Sequence, residues 1–473
     1  MMQKFLTKYW LASQMVLLFV AVSMSLFSTE TTGKNYLFWL ALFAVESLLL
    51  LPTVFKEESI TEARKRVVRS LEGDPFTYVG LVLIGIISIQ WMNSGCSLIY
   101  LPDADVWKFS LPPAEWLPYS VKPLPARALL SLVIAVFAGG LVIRNGLGKG
   151  GKRYFLDVAT MVSGMMATVA VYQSHAGVAP YTTWAAHPGA CNPGTFFAFW
   201  FLIALGRGSN TSSSKASPLK NALGWGFAFI GNLAGFLQFA PGFGLIVYSV
   251  IGLLLIGYRI GMMRLQGVQV AKQLRFAMGT FCAIALLGCS VIFLIPQSPI
   301  IPKVKGVSDV SSFEKMMEAR RFRMNAAFKI WEEDPWTGVG ANGFSQYLGT
   351  VIEDREWKRM KADKQWVWND GLQFLCEWGV IGTGILVAMV VTMLIPLFIK
   401  VRTLFRSQSK GRSAWEEFLY VDDYMVPCMV VVILVLIEGW FSSPFQSPAV
   451  LMSWFCVLAV LPGLLPAQRV KHS

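Results

Sequence analysis

Charge is scarce in this chain. Of its 473 residues only 15% are Asp, Glu, Lys or Arg, against about 25% in a soluble globular protein. Histidine is scarcer still, with three in the whole sequence. None of the seven cysteines forms a Cys-x-x-Cys pair or sits at metal-ligand spacing with a histidine. These shortages exclude a disordered chain, a zinc module and a disulfide scaffold, and they predict no metal site. What fills the sequence instead is apolar, with 55% hydrophobic residues, 33 Phe and 17 Trp. That composition belongs to an all-α polytopic membrane protein.

The net charge of +13 therefore has to be read for sidedness before it is read as an anion-binding surface. Twelve apolar stretches near bilayer length fall at 10–28, 36–55, 76–94, 126–143, 154–172, 194–206, 223–240, 241–258, 276–296, 372–399, 425–441 and 449–466. With the N-terminus inside, 25 of the 41 basic residues lie in inside loops and tails. The short outside loops hold only Lys34, Lys108, Lys122 and Arg127. The other twelve sit in one long outside segment, and long loops are exempt from the rule. The expectation is N-in, C-in, with spans 1–9 in 1–296, a large, partly helical outside loop over 297–371, and spans 10–12 with a cytoplasmic tail in 372–473. No small-residue cleavage site follows the first span, so it reads as a retained span and not as a signal peptide. Nucleic acid is not an expected partner; the lipid bilayer is. Only Cys96 and Cys191 fall on outside loops, where pairing is permitted, and whether they pair stays open.

His175 and His187 share the outside loop 173–193, and His472 lies in the tail. The 297–371 segment carries eleven acids and twelve bases, so it is nearly neutral and should be structured. Apolar residues recurring at threes and fours from Phe313 to Trp331 predict a helix over 311–331, ended by Asp334-Pro335. Gly338, Gly340 and Gly343 match a dinucleotide-binding fingerprint by letter only. No βαβ unit surrounds them, and the run reads as a tight turn packing the outside domain onto the bilayer surface. Arg320, Arg321 and Arg323 sit on the preceding helix, where guanidinium forks suit a pyrophosphate or an acidic sugar, or pairing with neighbouring acids. At the head of span ten, Asn369, Gln373 and Glu377 fall on one helical face. Carboxylates there must face a cavity or a partner. Gly379 and Gly382 would let another helix approach closely.

At these residues the sequence resembles the O-antigen ligase and polymerase superfamily of bacterial membrane glycosyltransferases. Four passages carry the likeness. Gly189-Ala-Cys-Asn-Pro193 followed by Phe196-Phe-Ala198 is similar to the family's entry into span six. One of the three arginines, then Trp331, Asp334-Pro335 and Gly338-Val-Gly340, resembles the helix and turn of its periplasmic loop. Asn369, nine residues and Gly379-Val-Ile-Gly382 resemble its pattern of histidine, small polar residue, nine residues and GxxG. The last two spans, joined by Ser442-Ser-Pro-Phe-Gln-Ser-Pro448, are also similar. The resemblance implies a metal-independent enzyme without cofactor in the bacterial inner membrane. It would move a glycan from a polyprenyl-pyrophosphate carrier to a lipid A core or another glycan at the periplasmic face.

The family's histidine would fall at Trp368, and the residue two before it is Trp366. An indole has a donor but no basic nitrogen, so the implied base must lie elsewhere. The candidates are Asp370 and Glu377, with Asn369 beside them, while Arg320, Arg321, Arg323, Trp368, His187 and Asn192 are the candidate pyrophosphate and glycan contacts. Two other readings stay open: a non-catalytic relative whose tryptophans stack on a glycan-lipid, and a lipid-linked glycan transporter. The last would predict internal repeats, and no convincing repeat is visible.

Overall fold

The computed structural model describes residues 2–27, 58–102, 106–175, 193–207, 218–239, 242–265, 310–352, 366–407 and 422–465. The described residues form thirteen α-helices and one two-stranded hairpin. In chain order they are α1 (Met2–Ser23), α2 (Glu58–Gly73), α3 (Pro75–Met92), β1 (Leu98–Leu101), β2 (Val106–Phe109), α4 (Pro123–Leu141), α5 (Lys149–His175), α6 (Pro193–Arg207), α7 (Pro218–Phe239) and α8 (Gly242–Leu265). Then come α9 (Val310–Glu333), α10 (Gly343–Val351), α11 (Asp370–Ser407), α12 (Met425–Glu438) and α13 (Pro448–Leu464).

Five stretches are long and apolar enough to cross a bilayer: Pro75–Met92, Pro123–Gly146, Lys149–Ser174, Gly244–Arg264 and Asp370–Thr403. Several helices of this length and composition mark a multi-pass membrane protein. Of the twelve expected spans, ten fall on described helices, and 36–55 and 276–296 lie outside the described residues. The span expected to be short, α6, has 15 residues and a length of about 22 Å. It is packed inside the bundle, with Phe196 to Ile203 entirely buried.

Proline at the first or second position starts α3, α4 and α13, where its missing N–H costs no helical hydrogen bond. Helix α13 is the axis of the fold. Nearly all of it is buried, and it packs against α1, α4, α11 and α12.

The two ends of the bundle differ in chemistry. At one end Arg144 pairs with Asp74 (3.0 Å), Arg153 with Asp422 (2.6 Å) and Arg259 with Asp423 (2.8 Å). At that end too, the Lys152 ammonium donates to the Arg144 carbonyl, and Lys400 donates to that of Pro462. At the other end lie Asp370, Glu377 and Glu438, capped by α9, α10 and the hairpin. The helix expected over 311–331 runs from Val310 to Glu333.

Two expectations are corrected here. The chain is not all-α: Leu98–Leu101 and Val106–Phe109 pair antiparallel, with Tyr100 opposite Trp107. Both runs are rich in aromatic and branched residues around a proline-bearing turn, a strand pattern that the helical bias of the composition hides. The glycine turn at 338–343 does not lie on a bilayer surface either; it docks on α11, as described next. Cys96 carries a free thiol, and Cys191 lies outside the described residues.

Candidate functional site

Helix α11 is broken near its head. Gly379 has φ 62° and ψ −170°, a conformation open essentially only to glycine. In an unbroken helix the amides of Val380 and Ile381 would donate to the carbonyls of Cys376 and Glu377. Here they donate to Pro335 (3.0 Å) and Trp336 (3.2 Å) instead. The two carbonyls accept from Val339 (3.1 Å) and Gly340 (2.8 Å). The glycine run thus supplies both partners that the break removes, as buried backbone requires. Close approach explains the glycines: a Cβ at Gly338 would lie 2.5 Å from the backbone of Glu377, Trp378 and Gly379. One at Gly340 would overlap the Tyr119–Ser120 backbone. The loop is held between two backbones. What approaches Gly379 is this loop, not another helix, and a Cβ on Gly382 would meet the Cβ of Trp378 at 2.6 Å.

Above the break, the three polar residues expected on one face take distinct tasks. Asn369 precedes the helix, accepting from the Leu372 amide (3.0 Å) and donating to the Trp440 carbonyl (3.3 Å). Gln373 accepts from the Val367 amide (2.8 Å) and donates to Glu377 (2.6 Å). The carboxylate of Glu377 also faces the backbone N–H groups of Asn342 and Phe344, so it ties the glycine loop to α11. Asp370 accepts from the Phe445 amide at 3.0 Å, and among the described residues its second oxygen has Gln446 alone, at 3.5 Å. Its own amide donates to the Gly439 carbonyl (2.7 Å). Asp370 and Glu377 are both buried.

Asp370 and Glu377 both line a cavity of about 580 Å³, within the usual range of a ligand site. Its walls are apolar, with Leu83 of α3, Leu129 and Val133 of α4, Leu386 of α11 and Phe455 of α13. Its polar end is formed by Asp370, Glu377, Asn342 and Gln446 with Trp366 and Trp440.

Two of the three candidate arginines stand behind that end, bonded to the backbone of Trp440 and Trp366, which line it. Arg323 is buried, donates to the Trp366 carbonyl (2.9 Å) and lies 3.9 Å from the ring centre of Trp368. Arg320 is half-buried, donates to the Trp440 carbonyl and lies over Phe441. Burial lowers the pKa of Arg320, but a guanidinium stays charged near neutral pH. Arg321 projects from another face of α9 and is exposed. Trp368 itself has φ 61°, which bulky side chains rarely adopt.

Asn192 and His187 lie outside the described residues. His175 ends α5, and its side chain is likewise outside them. One cluster escaped the sequence reading. Glu438, at the end of α12, accepts from Thr195 (2.6 Å), Tyr248 (2.5 Å) and Ser442 (3.3 Å), joining α6, α8 and α12 beside Gly439. A lone acid at the end of an apolar run was its only signal, and its partners are 190 or more residues away for two of the three bonds. Among the described residues no group of His, Cys, Asp and Glu has the makings of a metal site. Compared with known protein families the chain matches no family model, and compared with curated proteins it matches none.

Proposed function

We propose that this protein is a membrane glycosyltransferase of the O-antigen ligase kind. It moves a glycan from a polyprenyl-pyrophosphate carrier to a lipid A core or another glycan at the periplasmic face of a bacterial inner membrane. The observation that carries this reading is the cavity: apolar along the bundle and ending at two buried carboxylates backed by two arginines. An amphiphile with a long hydrocarbon tail and an anionic head matches that gradient. The short motifs shared with the ligase superfamily point the same way.

The sidedness follows from charge. Arg144, Lys149, Arg153, Arg259 and Lys400 gather at the end away from the cavity's polar end. Basic residues mark the cytoplasmic side. This supports a reading with α9 and the carboxylates on the periplasmic side of a twelve-span, N-in and C-in protein.

In this reading the acceptor hydroxyl attacks the anomeric carbon of the carrier-linked sugar. The new carbon–oxygen bond replaces the bond to the pyrophosphate, which leaves on its polyprenol. The hydroxyl proton passes to Asp370, which lines the cavity and has one weakly held oxygen. Arg320 has five N–H donors in its fork, and its Nε is buried with no hydrogen-bond partner among the described residues. It meets the departing phosphates, with the Arg323 charge fixed behind Trp368. Charge placed in advance where charge develops is what lowers the barrier.

The test is release of polyprenyl pyrophosphate from a lipid-linked saccharide by the purified protein with a lipid A-core acceptor. Wild type and Trp368→His run side by side. Release by both is expected, because the base is not at position 368. A silent wild type with an active Trp368→His would instead make the natural chain a binding relative. Movement of the lipid-linked saccharide across the bilayer without release would make it a transporter.

The arginines give a second check. Arg320→Ala should lower turnover by about 10²-fold or more, as for loss of one donor to a developing charge. Arg321→Ala should leave turnover near wild type, since its side chain is in solvent. Equal losses in both would refute the assignment of Arg320.

A further inference from the structure

The hairpin β1–β2 breaks the usual rule for a strand pair at a water-facing surface. Successive side chains along a strand point to opposite faces, and a hairpin in water keeps one face polar. Here Leu98, Tyr100 and Trp107 are exposed on one face, and Ile99 and Leu101 on the other, each 40% or more accessible. Lys108, the charged residue of the described strands, turns to Glu333 at the end of α9, 3.9 Å away.

The hairpin's roots are α3 and α4, both long and apolar enough to cross a bilayer. Helix α3 leaves Leu81, Val82 and Met92 exposed, and only residues 93–97 separate its end from β1. Its place between two candidate spans, five residues past the end of α3, sets the hairpin at the edge of the bilayer and identifies what covers it.

We propose that β1–β2 is an interfacial anchor, lying in the headgroup region of the outer leaflet, where water still reaches its two open edges, with Tyr100 and Trp107 turned to the lipid. Aromatic side chains of this kind collect at that depth. A two-stranded hairpin is marginal in water alone, and burial of both faces in lipid removes the exposed patch.

The anchor is coupled to the cap. Phe109 packs against Tyr347 of α10 at 4.7 Å between ring centres, with the rings tilted by 49°, and Tyr119 and Tyr347 share a hydrogen bond of 3.0 Å. With the Lys108–Glu333 contact, these bonds tie the height of α9 and α10 to the bilayer. The depth of the hairpin thereby sets where Arg320 and Arg323 stand over the cavity. This holds whatever reaction the cavity serves.

The experiment uses the full chain in nanodiscs of phosphatidylethanolamine and phosphatidylglycerol, with p-benzoylphenylalanine placed at Ile99 or Trp107. After irradiation, intact mass should rise by one phospholipid at both positions, and by none when the probe replaces Arg321. Adducts to protein only, or none at the hairpin, would overturn the proposal. Hydroxyl-radical footprinting of the unsubstituted protein covers the case in which a probe-bearing chain does not fold. With each residue's intrinsic reactivity divided out, Leu98–Leu101 should be modified several-fold less than Met317 of α9, which is exposed to a similar degree, and equal normalised modification would overturn it too.

Discussion

Asp370→Asn should lower release of polyprenyl pyrophosphate by about 10²–10⁴-fold, the range set by loss of a general base, while the protein stays folded. Asparagine keeps an oxygen to accept from the Phe445 amide, so the staple between the head of α11 and the loop at 444–446 survives. Only the ability to take a proton is lost. Glu377→Gln is the control that separates chemistry from structure. Glu377 is already engaged by Gln373 at 2.6 Å and by two backbone N–H groups of the glycine loop. An amide there turns one acceptor into a donor aimed at donors. Its expected effect is a loss of stability of about 1–3 kcal/mol, read as a lower melting temperature in detergent, with a smaller fall in turnover at a temperature where it is folded. If Glu377→Gln abolishes turnover without loss of stability and Asp370→Asn retains it, the two roles are exchanged.

The second large effect is expected at Gly379. Gly379→Ala imposes a Cβ on a backbone conformation reserved for glycine and drives it into the carbonyl of Trp336. Strain and overlap together cost about 2–6 kcal/mol. The alternative open to the chain is to straighten α11, restoring the bonds from Val380 and Ile381 to Cys376 and Glu377 and ejecting the glycine loop. Hydrogen exchange reads this directly. The amides of Val339 and Gly340, now bonded to α11, should exchange at least tenfold faster, the factor set by about 1.4 kcal/mol. Unchanged protection in a folded variant would mean that the break in α11 does not depend on glycine. Because Arg320 and Arg323 ride on the helix before this loop, turnover should fall together with protection.

Which parts of this architecture were legible beforehand follows from how far apart the interacting residues lie. The helices could be read because their apolar runs are continuous and local, and ten of the expected twelve spans fall on described helices. The contact of Gln373 with Glu377 is four residues long, so helical spacing was enough to expect it. The hairpin was missed because two four-residue strands in an apolar chain look like the frayed ends of spans. The reading of the glycines was half right. A tight turn was expected at Gly338–Gly343 and a close approach at Gly379, but not that each is the other's partner. Forty residues of sequence separate them, and no periodicity reports such a match.

By itself the sequence determined the solvent of this protein. Hydrophobicity and charge act residue by residue, and they add along the chain. The sequence also confined the polar chemistry to a few positions, because a membrane bundle tolerates so few. Only the tertiary structure decided which of those positions meet. It turned Arg320 and Arg323 toward Trp440 and Trp366 and left Arg321 in solvent. It bound Glu377 into the glycine loop, and it left one oxygen of Asp370 lightly held at the end of an apolar cavity. These outcomes depend on where a helix breaks and what fills the broken hydrogen bonds, and that balance is struck between backbones far apart in the chain.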